Sequence, residues 1–509
     1  MLTCQSVNLE KLSTLGRWRS NVRWRSNVPR RSNVPWHLSA PALAAVFLLS
    51  ILSLGGIYTP IAQSPLDPVL ATPAQDEALY THGILRMAAG EDWLTPHFLG
   101  RPLIVKPPLL QWLSAGSLKV FGYHVWALRL PGILAAATVM LIVYRATGAV
   151  GWLLLCSLGL WRARAGLVMM DDLLTLWYVL AVALIAKDPK LAGRWAAWGF
   201  GILVGLAVMT KWFAGVLPLA LLLWARPPLR RWVEAGAAFA LLVTPWHLYQ
   251  FLVNHDWFLA EYLGVELLGF AMSAPVQASD EGHAIYYLTR LLWLLPLAAP
   301  LILRRVNATW LVWCGVLLAA IFAYSYQNAT YLVPLAPALL LCHRGAIHWG
   351  FAPLALLGLL GWPTGVAVRP IGNEFQGREV LHLDPDDQLR TSLLPGATVR
   401  YIFLTSHLPP NGPLDFERLG IAKRVAPFLA APDAKVDAVL ASDLAELRTL
   451  IERSPQRDFL LPPNVWAALA MRVPHEAIPG IKIWLKSREP QPGPRPNQFP
   501  LLSGPGFAK

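Results

Sequence analysis

Long apolar runs constrain this chain more than any other feature. They follow one another at helix length between residues 41 and 367, and the mean hydropathy of all 509 residues is +0.45. A chain inside lipid must satisfy its own backbone hydrogen bonds, so such runs cross a membrane as helices. Only 14% of the residues are charged, which excludes a soluble protein of ordinary composition. The sequence predicts a mainly α fold, a polytopic bundle of transmembrane helices.

Eleven runs are interpreted as spans, although several are shorter than the roughly 20 residues that a crossing needs. They cover residues 41–59, 126–144, 148–161, 171–186, 195–210, 213–225, 233–252, 286–303, 309–325, 330–342 and 347–367. With the amino terminus in the cytoplasm, every cytoplasmic turn is basic. The cations of these turns are Arg145, Lys187, Lys190, Arg194, Arg226, Arg230, Arg231, Arg304, Arg305 and Arg344. This positive-inside pattern places the first long loop and the residues after 370 outside the cytoplasm.

Composition divides the chain into four predicted parts. They are a basic cytoplasmic tail (1–37), a transmembrane domain (38–369), a small soluble extracytoplasmic domain (370–489) and a disordered proline-rich tail (490–509). The first part contains the six-residue repeat WRSNVR, WRSNVP, RRSNVP and runs into the first apolar segment without a cleavage site, which predicts an uncleaved first span. The net charge of +13 is therefore interpreted as an orientation signal and an attraction to anionic lipid.

Shorter patterns refine two of these parts. Within the transmembrane domain, residues 60–125 form the first extracytoplasmic loop, which is expected to carry juxtamembrane helices. Beyond residue 370, strand-like runs at 399–404 and 436–440 and a helical run at 443–452 predict an α/β module. The four cysteines show no CxxC spacing and no pairing with histidine, so neither a disulfide framework nor a zinc site is predicted.

Charged residues in and near the first loop are the candidates for chemistry, because charges kept beside a membrane usually have a function. Asp76 and Glu77 open a helix-like run, where Asp76 is either a helix N-cap or a catalytic acid. Lys106 precedes two prolines, which hold its backbone extended and present its ammonium rigidly. That ammonium suits a phosphate group, and the alternative is a lysine that snorkels to the interface. Lys211 ends an apolar span, and Arg162 and Arg164 precede Asp171 by seven to nine residues. Snorkelling or a structural ion pair would explain each of these cations singly.

The first loop resembles that of the bacterial aminoarabinose transferases and protein O-mannosyltransferases, which are membrane glycosyltransferases of the GT-C class. The matching residues are DEALYTHGILRMAAGEDWLTPHFLGRPLIVKPPLLQWLSAGSLKVFG followed by ALRLPGILAA. The family pattern contains acidic DE, GDW, KPPL and ARLP elements, and almost every piece is present here in order and spacing, as DE, GEDW, KPPL and LRLP. Weaker similarity continues through TKW at Lys211, TPWHLY at 244–249, GHAIYYL at 282–288 and YLVPLAPALLL from Tyr331. The resemblance covers about residues 40–345.

The resemblance implies a role for each matching residue. Asp76 would be the catalytic or acceptor-positioning acid and Asp171 the second acid of the cavity. The donor phosphate would bind Lys106, Lys211 and Tyr331, and possible further substrate contacts are Glu77, Arg129 and His283. Such cations would stabilise the phosphate that leaves as an anion, while a carboxylate orients the acceptor.

Two departures from the family pattern concern the substrate site. Relatives carry a glutamate immediately before KPP and pair it with a later histidine in a metal site, whereas this chain has Val105. His283 remains as a partner without its carboxylate, so no cofactor is predicted to be required, and a divalent metal stays an alternative. Trp212 follows Lys211 where relatives often have glycine, which is expected to reshape the lipid or sugar pocket.

The predicted function is transfer of a sugar from polyprenyl (undecaprenyl) phosphate on the periplasmic face of the bacterial inner membrane. The acceptor is lipid A, another envelope lipid or glycan, or a protein hydroxyl. A transporter or lipid flippase is one alternative, and it would show internal repeats and charges near the bilayer midplane. A non-catalytic partner in envelope assembly is another, and loss of Asp76 or Lys106 would have favoured it. No nucleic-acid partner is predicted.

Overall fold

The computed structural model describes residues 39–54, 75–90, 92–98, 101–122, 125–255, 258–259, 262–263, 282–303, 306–324, 327–356, 379–383, 398–404, 438–441, 444–454, 458–461, 463–478 and 482–485. The two predicted tails, 1–37 and 490–509, lie outside these residues.

Helices dominate the described residues up to 356. In chain order the α-helices are α1 (Ala40–Ser53), α2 (Gln75–Ala88), α3 (Leu109–Phe121), α4 (Val125–Ser157), α5 (Gly159–Arg164), α6 (Met170–Lys187), α7 (Ala196–Lys211), α8 (Ala220–Ala225), α9 (Leu229–Val253), α10 (His283–Leu291), α11 (Leu295–Ala298), α12 (Ala308–Ala323) and α13 (Leu335–Leu341). Short 3₁₀ helices join or extend them at Trp212–Leu219, Leu292–Leu294, Ala299–Leu303, Ala329–Leu332 and Trp349–Phe351. A two-stranded hairpin of β1 (His97–Phe98) and β2 (Arg101–Pro102) separates α2 from α3.

Several of these helices are long and apolar enough to cross a membrane. Within the described residues they are Trp126–Ser157, Ala196–Val216, Leu229–Val253 and His283–Ile302. Shorter apolar helices cover Ala40–Ser53, Ala308–Ala323 and Ala329–Leu341. Helix α6 is 18 residues long and carries acidic residues in its first turn and Lys187 in its last turn. The chain is a mainly helical, polytopic membrane protein, and the number of eleven spans stays a prediction.

Two spans depart from the simple helices that the sequence predicts. Segments 126–144 and 148–161 lie largely in the single element α4, which is broken at Gly148, where φ is +77°. The predicted helix 213–225 begins instead as a 3₁₀ helix, and the α conformation starts only at Ala220. Pro218 lies inside this 3₁₀ helix and cannot donate a backbone hydrogen bond there.

The bundle core is built where neighbouring helices approach closely. Helix α7 packs against both α6 and α9, and a Cβ added at Gly201 of α7 would lie 2.1 Å from the Ala235 carbonyl oxygen of α9. Glycine at this position therefore sets the distance between the two backbones. Helix α4 packs against α1 and α6 on the other side of the core. The close packing fixes the ends of α6 and α7 relative to each other.

The described strands after residue 379 form one mixed sheet. They are β3 (Glu379–Leu383), β4 (Thr398–Leu404), β5 (Ala438–Ala441), β6 (Asp458–Leu461), β7 (His475–Ile478) and β8 (Lys482–Leu485). Their order is β5-β4-β3-β6-β8-β7, parallel from β5 to β6 and antiparallel at β8 and β7. Helices α14 (Leu444–Arg453) and α15 (Pro463–Leu469) lie between strands along the chain and share an apolar cluster with β6 and β8.

This α/β region agrees with the sequence patterns. Strands β4 and β5 and helix α14 match the three predicted runs to within two residues at each end. The limits 370–489 and the location of this domain outside the cytoplasm stay predictions.

Candidate active site

A cleft opens between α6, the turn after α7, α12 and the segment that leads into α13. Its empty volume is about 690 Å³, counted out to its open mouth. Four of the residues that the sequence singled out line it: Lys106, Asp171, Lys211 and Tyr331. The remaining lining is mostly apolar or aromatic: Leu174, Tyr178, Phe213, Ala214, Leu217, Leu317, Ala320, Ile321, Tyr324 and Pro334. The cleft therefore combines two ammonium groups and a carboxylate with an apolar wall.

Asp171 and Lys211 form a short ion pair in this cleft. Lys211 Nζ donates to Asp171 Oδ1 at 2.6 Å, and the side chains are 17% and 6% exposed, respectively. The same ammonium lies 5.2 Å from the centre of the Tyr331 ring. Asp171 is the second residue of α6, where the helix dipole favours negative charge. The Asp171 carboxylate therefore partly neutralises the Lys211 ammonium at the start of α6. Removal of either side chain would leave a buried charge without its partner, which is strongly destabilising.

Helix α7 ends at Lys211 because the chain turns sharply at the next residue. Trp212 has φ +41° and ψ −121°, and its amide still bonds the Val208 carbonyl. Farther on, a Cβ added at Gly215 would lie 2.2 Å from the Val208 amide nitrogen, so the 3₁₀ helix folds directly onto the backbone of α7. The turn leaves Lys211 at the tip of a tight reversal that faces α6.

Lys106 reaches the cleft from a segment tied at both ends. Before it, the Leu103 amide donates to the Pro96 carbonyl at 2.6 Å. After it, Pro107 and Pro108 are buried, and the Trp112 amide donates to the Pro108 carbonyl at 2.8 Å as α3 begins. The prolines therefore present the lysine on a fixed segment, as the sequence predicts. The side chain is half-buried and lines the cleft.

The first loop is anchored on the end of α9 through the Leu94 carbonyl group and the Thr95 hydroxyl. Both Trp246 Nε1 and Gln250 Nε2 donate to the Leu94 carbonyl, at 2.8 and 2.7 Å. Asn254 Nδ2 donates to Thr95 Oγ1 at 3.2 Å, and Gln250 is fully buried. Sequence reasoning noted the loop and the TPWHLY motif separately but missed their contact. Only the shared excess of polar and aromatic side chains at the same predicted face could have suggested it.

The other predicted site residues do not line the cleft as the structure describes it. Asp76 and Glu77 lie in the first turn of α2, so the backbone of Asp76 is inside the helix and not at its N-cap; the side chains of both lie outside the described part. Arg129 is fully buried in α4. His283 is the first residue of α10, and its ring packs edge-on against Tyr287 at 5.1 Å. Neither Arg129 nor His283 is among the lining residues.

A metal centre has no ready donor set in the described residues, where no three His, Cys, Asp or Glu side chains come close enough to hold an ion. Val105 is half-buried next to Lys106 and has no donor atom in its side chain. The expectation that no metal is needed stays a prediction.

Aromatic side chains complete the cleft and were not predicted from the sequence. The Tyr178 hydroxyl donates to the Ala214 carbonyl and so ties α6 to the turn after α7. The Tyr324 ring lies 5.4 Å from the ring of Phe213 and 5.7 Å from that of Tyr331. Tyr178 follows Asp171 by seven residues, which is two helical turns, so the helical period alone would have placed both on one face.

Comparison with known proteins agrees with this geometry. Residues 105–250 match the model of the dolichyl-phosphate-mannose-protein mannosyltransferase family. An undecaprenyl phosphate-α-4-amino-4-deoxy-L-arabinose arabinosyl transferase of Pseudomonas paraeruginosa is 29% identical over 338 residues, which are 56% of this chain and 60% of that protein. A Pseudomonas aeruginosa protein of the same name is 28% identical over 340 residues, with the same coverage. The chain is similar to the aminoarabinose transferases over these residues.

The solved structures place the fold in the same group. ArnT from Cupriavidus metallidurans, crystallised with undecaprenyl phosphate, superposes with a TM-score of 0.59 at 16% identity over 90% of this chain and all of that one. Its apo form gives a TM-score of 0.55 over 88% of this chain and 98% of that one. The resemblance inferred from the sequence therefore extends to the fold. The matched region spans about 60% of the length of the curated aminoarabinose transferases.

Proposed function

We propose that this chain is a membrane glycosyltransferase that moves a sugar from a polyprenyl phosphate, undecaprenyl phosphate in bacteria, to an envelope acceptor. The observation that carries the proposal is the cleft itself, in which Lys106, Lys211 and Asp171 meet an apolar wall. A polyprenyl-phosphate sugar has the matching parts, since its phosphate is anionic and its tail is hydrocarbon. The relatives support this donor, because their names specify undecaprenyl phosphate.

The chemistry assigns separate tasks to the charged groups. As the bond between sugar and phosphate breaks, negative charge grows on the phosphate oxygens, and the two lysine ammonium groups stabilise it. Asp171 holds Lys211 in place through the 2.6 Å ion pair. Asp76, which the family resemblance assigns to the acceptor side, would position the acceptor or stabilise cationic character at the sugar. An acceptor that is itself a phosphate needs no strong base.

As the acceptor, lipid A or another envelope lipid or glycan is preferred to a protein hydroxyl. The donor and the acceptor would then both be amphiphiles that reach the cleft from the bilayer. The names of the curated relatives specify arabinosyl transfer and support a sugar of this kind as the first donor to test.

The cleft would face the periplasm of the inner membrane, with the amino terminus in the cytoplasm. Lys190 and Arg231 support this orientation, because they lie at the opposite end of α7 from Lys211 and contact the adjacent turns there. Lys190 Nζ donates to the Ala225 and Arg226 carbonyls at 2.8 Å, and Arg231 donates to the Ala192 carbonyl at 2.9 Å. Positive residues in such turns favour the cytoplasmic side.

The test is transfer of label from a panel of radiolabelled undecaprenyl-phosphate sugars, including 4-amino-4-deoxy-L-arabinose, to envelope fractions. Purified wild type is compared with Lys106→Ala, Asp76→Ala and the control Lys119→Ala. Lys119 is exposed at the end of α3, 5.5 Å from the Trp93 ring, and is not among the cleft residues. We expect transfer to fall about 100-fold or more in Lys106→Ala and to persist in the control.

The same experiment decides between the alternatives. The labelled fraction identifies the acceptor as lipid, glycan or protein. Absence of transfer from every donor, or equal transfer by wild type and Lys106→Ala, would refute the proposal and favour a transporter or an assembly partner. Chelator added to the wild-type reaction tests metal dependence, and unchanged transfer is the expected result.

A further inference from the structure

We propose that Trp212 is a positioning residue that fixes the spacing between the two cleft lysines. It does so through one aromatic cluster, here called the aromatic clamp and made of Trp212, Trp246, Phe258 and Tyr262. The segments that carry Lys106 and Lys211 both pack against this clamp. The inference rests on the proposed function for its catalytic consequence, although the spacing itself is measurable without any activity.

The backbone of Trp212 is held in a conformation that a large side chain avoids. Its φ of +41° lies in the left-handed region, which glycine adopts readily and a bulky residue only rarely. Such strain persists only where the surroundings impose it. Here they do so from both sides, because α7 ends at Lys211 and Gly215 lies against the backbone of Val208.

The ring of Trp212 supplies contacts that offset the strain. It lies 4.2 Å from the ring of Tyr262, which stacks on Phe258 at 4.8 Å with an interplanar angle of 20°. Tyr262 is 1% exposed, and its ring is 6.0 Å from that of Trp246 on α9. The indole of Trp212 is thereby held against a buried ring that also contacts Trp246 of α9.

A hydrogen bond fixes the clamp on α9. Nδ1 of His247 lies 2.8 Å from the Val243 carbonyl, and Nε2 pairs with the Tyr262 hydroxyl. A carbonyl oxygen can only accept, so Nδ1 must carry a proton. In the neutral ring Nε2 is then the acceptor, and the Tyr262 hydroxyl donates to it. The orientation of Tyr262, and with it the surface that meets Trp212, is set by α9.

The segment of Lys106 packs on the same clamp. Ile104 precedes that lysine by two residues, is fully buried and shares an apolar cluster with Trp246, Phe258 and Tyr262. Trp246 also donates to the Leu94 carbonyl, which anchors the first loop. One rigid group therefore touches the Lys106 segment through Ile104 and the Lys211 turn through Trp212. Removal of the indole frees the turn relative to the loop.

The catalytic test compares Trp212→Gly, Trp212→Phe and the control Arg226→Gly. Arg226 is exposed, has φ +49° and ends α8 at the other end of the bundle, so glycine relieves the same kind of strain away from the cleft. We expect Trp212→Gly to lower kcat/KM at least about tenfold, mainly through a higher KM for the donor. Trp212→Phe should restore most of the activity, and Arg226→Gly should match wild type.

Thermal stability separates positioning from a general loss of fold. Glycine removes the backbone strain while it removes the ring, so the unfolding temperature of Trp212→Gly should change little. In Lys106→Ala the spacing no longer matters, so adding Trp212→Gly should lower transfer only slightly further. Wild-type activity in Trp212→Gly, or a loss that merely follows a lower unfolding temperature, would overturn the inference.

A distance measurement tests the spacing without catalysis. Spin labels are placed at the exposed positions Leu94 and Val216, one on the first loop and one after the Lys211 turn, in a variant whose native cysteines are replaced by alanine. The distance distribution between the labels should broaden in Trp212→Gly and stay unchanged in Arg226→Gly. An unchanged distribution in Trp212→Gly refutes the clamp, whereas absence of transfer by wild type refutes only the proposed function.

Discussion

Helices α7 and α8 end in similar ways at opposite ends of the bundle, and only one of the two ends forms a cleft. Each terminates before a residue other than glycine with positive φ, Trp212 at +41° and Arg226 at +49°. Beside each end a lysine is paired. Lys211 binds the carboxylate of Asp171, while Lys190 donates to the carbonyls of Ala225 and Arg226.

The two ends differ in burial and in the partner of the lysine. Lys190 is exposed and caps carbonyl groups that any helix end leaves open, an arrangement that costs little and contributes little. Lys211 is only 17% exposed and faces a carboxylate that is 6% exposed. Residue type and backbone conformation therefore do not identify a site. A buried charge with a charged partner does, because such a pair is costly to maintain.

The largest difference between the two helix ends should appear when the lysine at each end is removed. Lys211→Met leaves Asp171 buried without its partner and removes one cation from the cleft. We expect transfer to fall by about 100-fold to 1000-fold and stability to fall by about 3–5 kcal/mol. Lys190→Met should alter neither by much. The measurements are labelled-sugar transfer and thermal unfolding in the same detergent.

A double substitution sharpens this contrast. Asp171→Asn combined with Lys211→Met removes both charges and should recover much of the stability lost in the single variant, because no unpaired charge remains. Transfer should stay low if the pair serves catalysis. Recovery of transfer together with stability would mean that the pair is only structural.

The second prediction concerns the reversal that presents Lys211. Gly215→Ala places a Cβ 2.2 Å from the Val208 nitrogen, and neither backbone can yield, so we expect a loss of about 3 kcal/mol or more. Gly236→Ala, in α9, meets no atom within 4 Å and should be neutral or slightly stabilising. The folded yield and the unfolding temperature of both variants in detergent test this difference in stability. Equal yields would show that the 3₁₀ helix does not depend on this close approach.

The sequence was sufficient for those parts of the molecule that local chemistry determines. Apolar runs predict the helices, and the prolines after Lys106 predict a rigid segment. The motif resemblance selected the four residues that meet in the cleft. Strand β4 follows from a run rich in β-branched and aromatic residues. For the helices, the proline segment and the strand, the cause lies close to its effect along the chain.

The sequence was insufficient where contacts join distant segments. Trp246 and Gln250 donate hydrogen bonds to the Leu94 carbonyl across more than 150 residues, and no local sequence pattern predicts such bonds. The sequence marks Trp212 only as a departure from the glycine of relatives, whereas its φ and its contact with Tyr262 come from the structure. Arg129 and His283 are not among the described residues that line the cleft, because motif membership does not specify the direction of a side chain. Their contact with substrate stays a prediction.

The third prediction compares two carboxylates that each accept from a glycine amide. Asp172 Oδ2 accepts from Gly166 at 2.8 Å and is 1% exposed, whereas Asp188 Oδ2 accepts from Gly193 at 2.9 Å near the surface. Asp172→Ala leaves a buried amide without a partner and should cost about 1–3 kcal/mol. Asp188→Ala exposes its amide to water and should cost about 0.5 kcal/mol or less. Similar losses in thermal unfolding experiments would contradict the role of burial.

The smallest expected effect is a pH dependence confined to Asp188. The Gly193 amide hydrogen bond favours the charged carboxylate and lowers the pKa of Asp188 below its ordinary value near 4. A group with a lowered folded-state pKa contributes stability above the unfolded-state pKa and loses it as the pH falls through the folded-state pKa. The small difference in unfolding temperature between wild type and Asp188→Asn should therefore be constant above about pH 5 and vanish on acidification. A difference that persists at about pH 2 would mean that packing, and not the charge, gives Asp188 its effect.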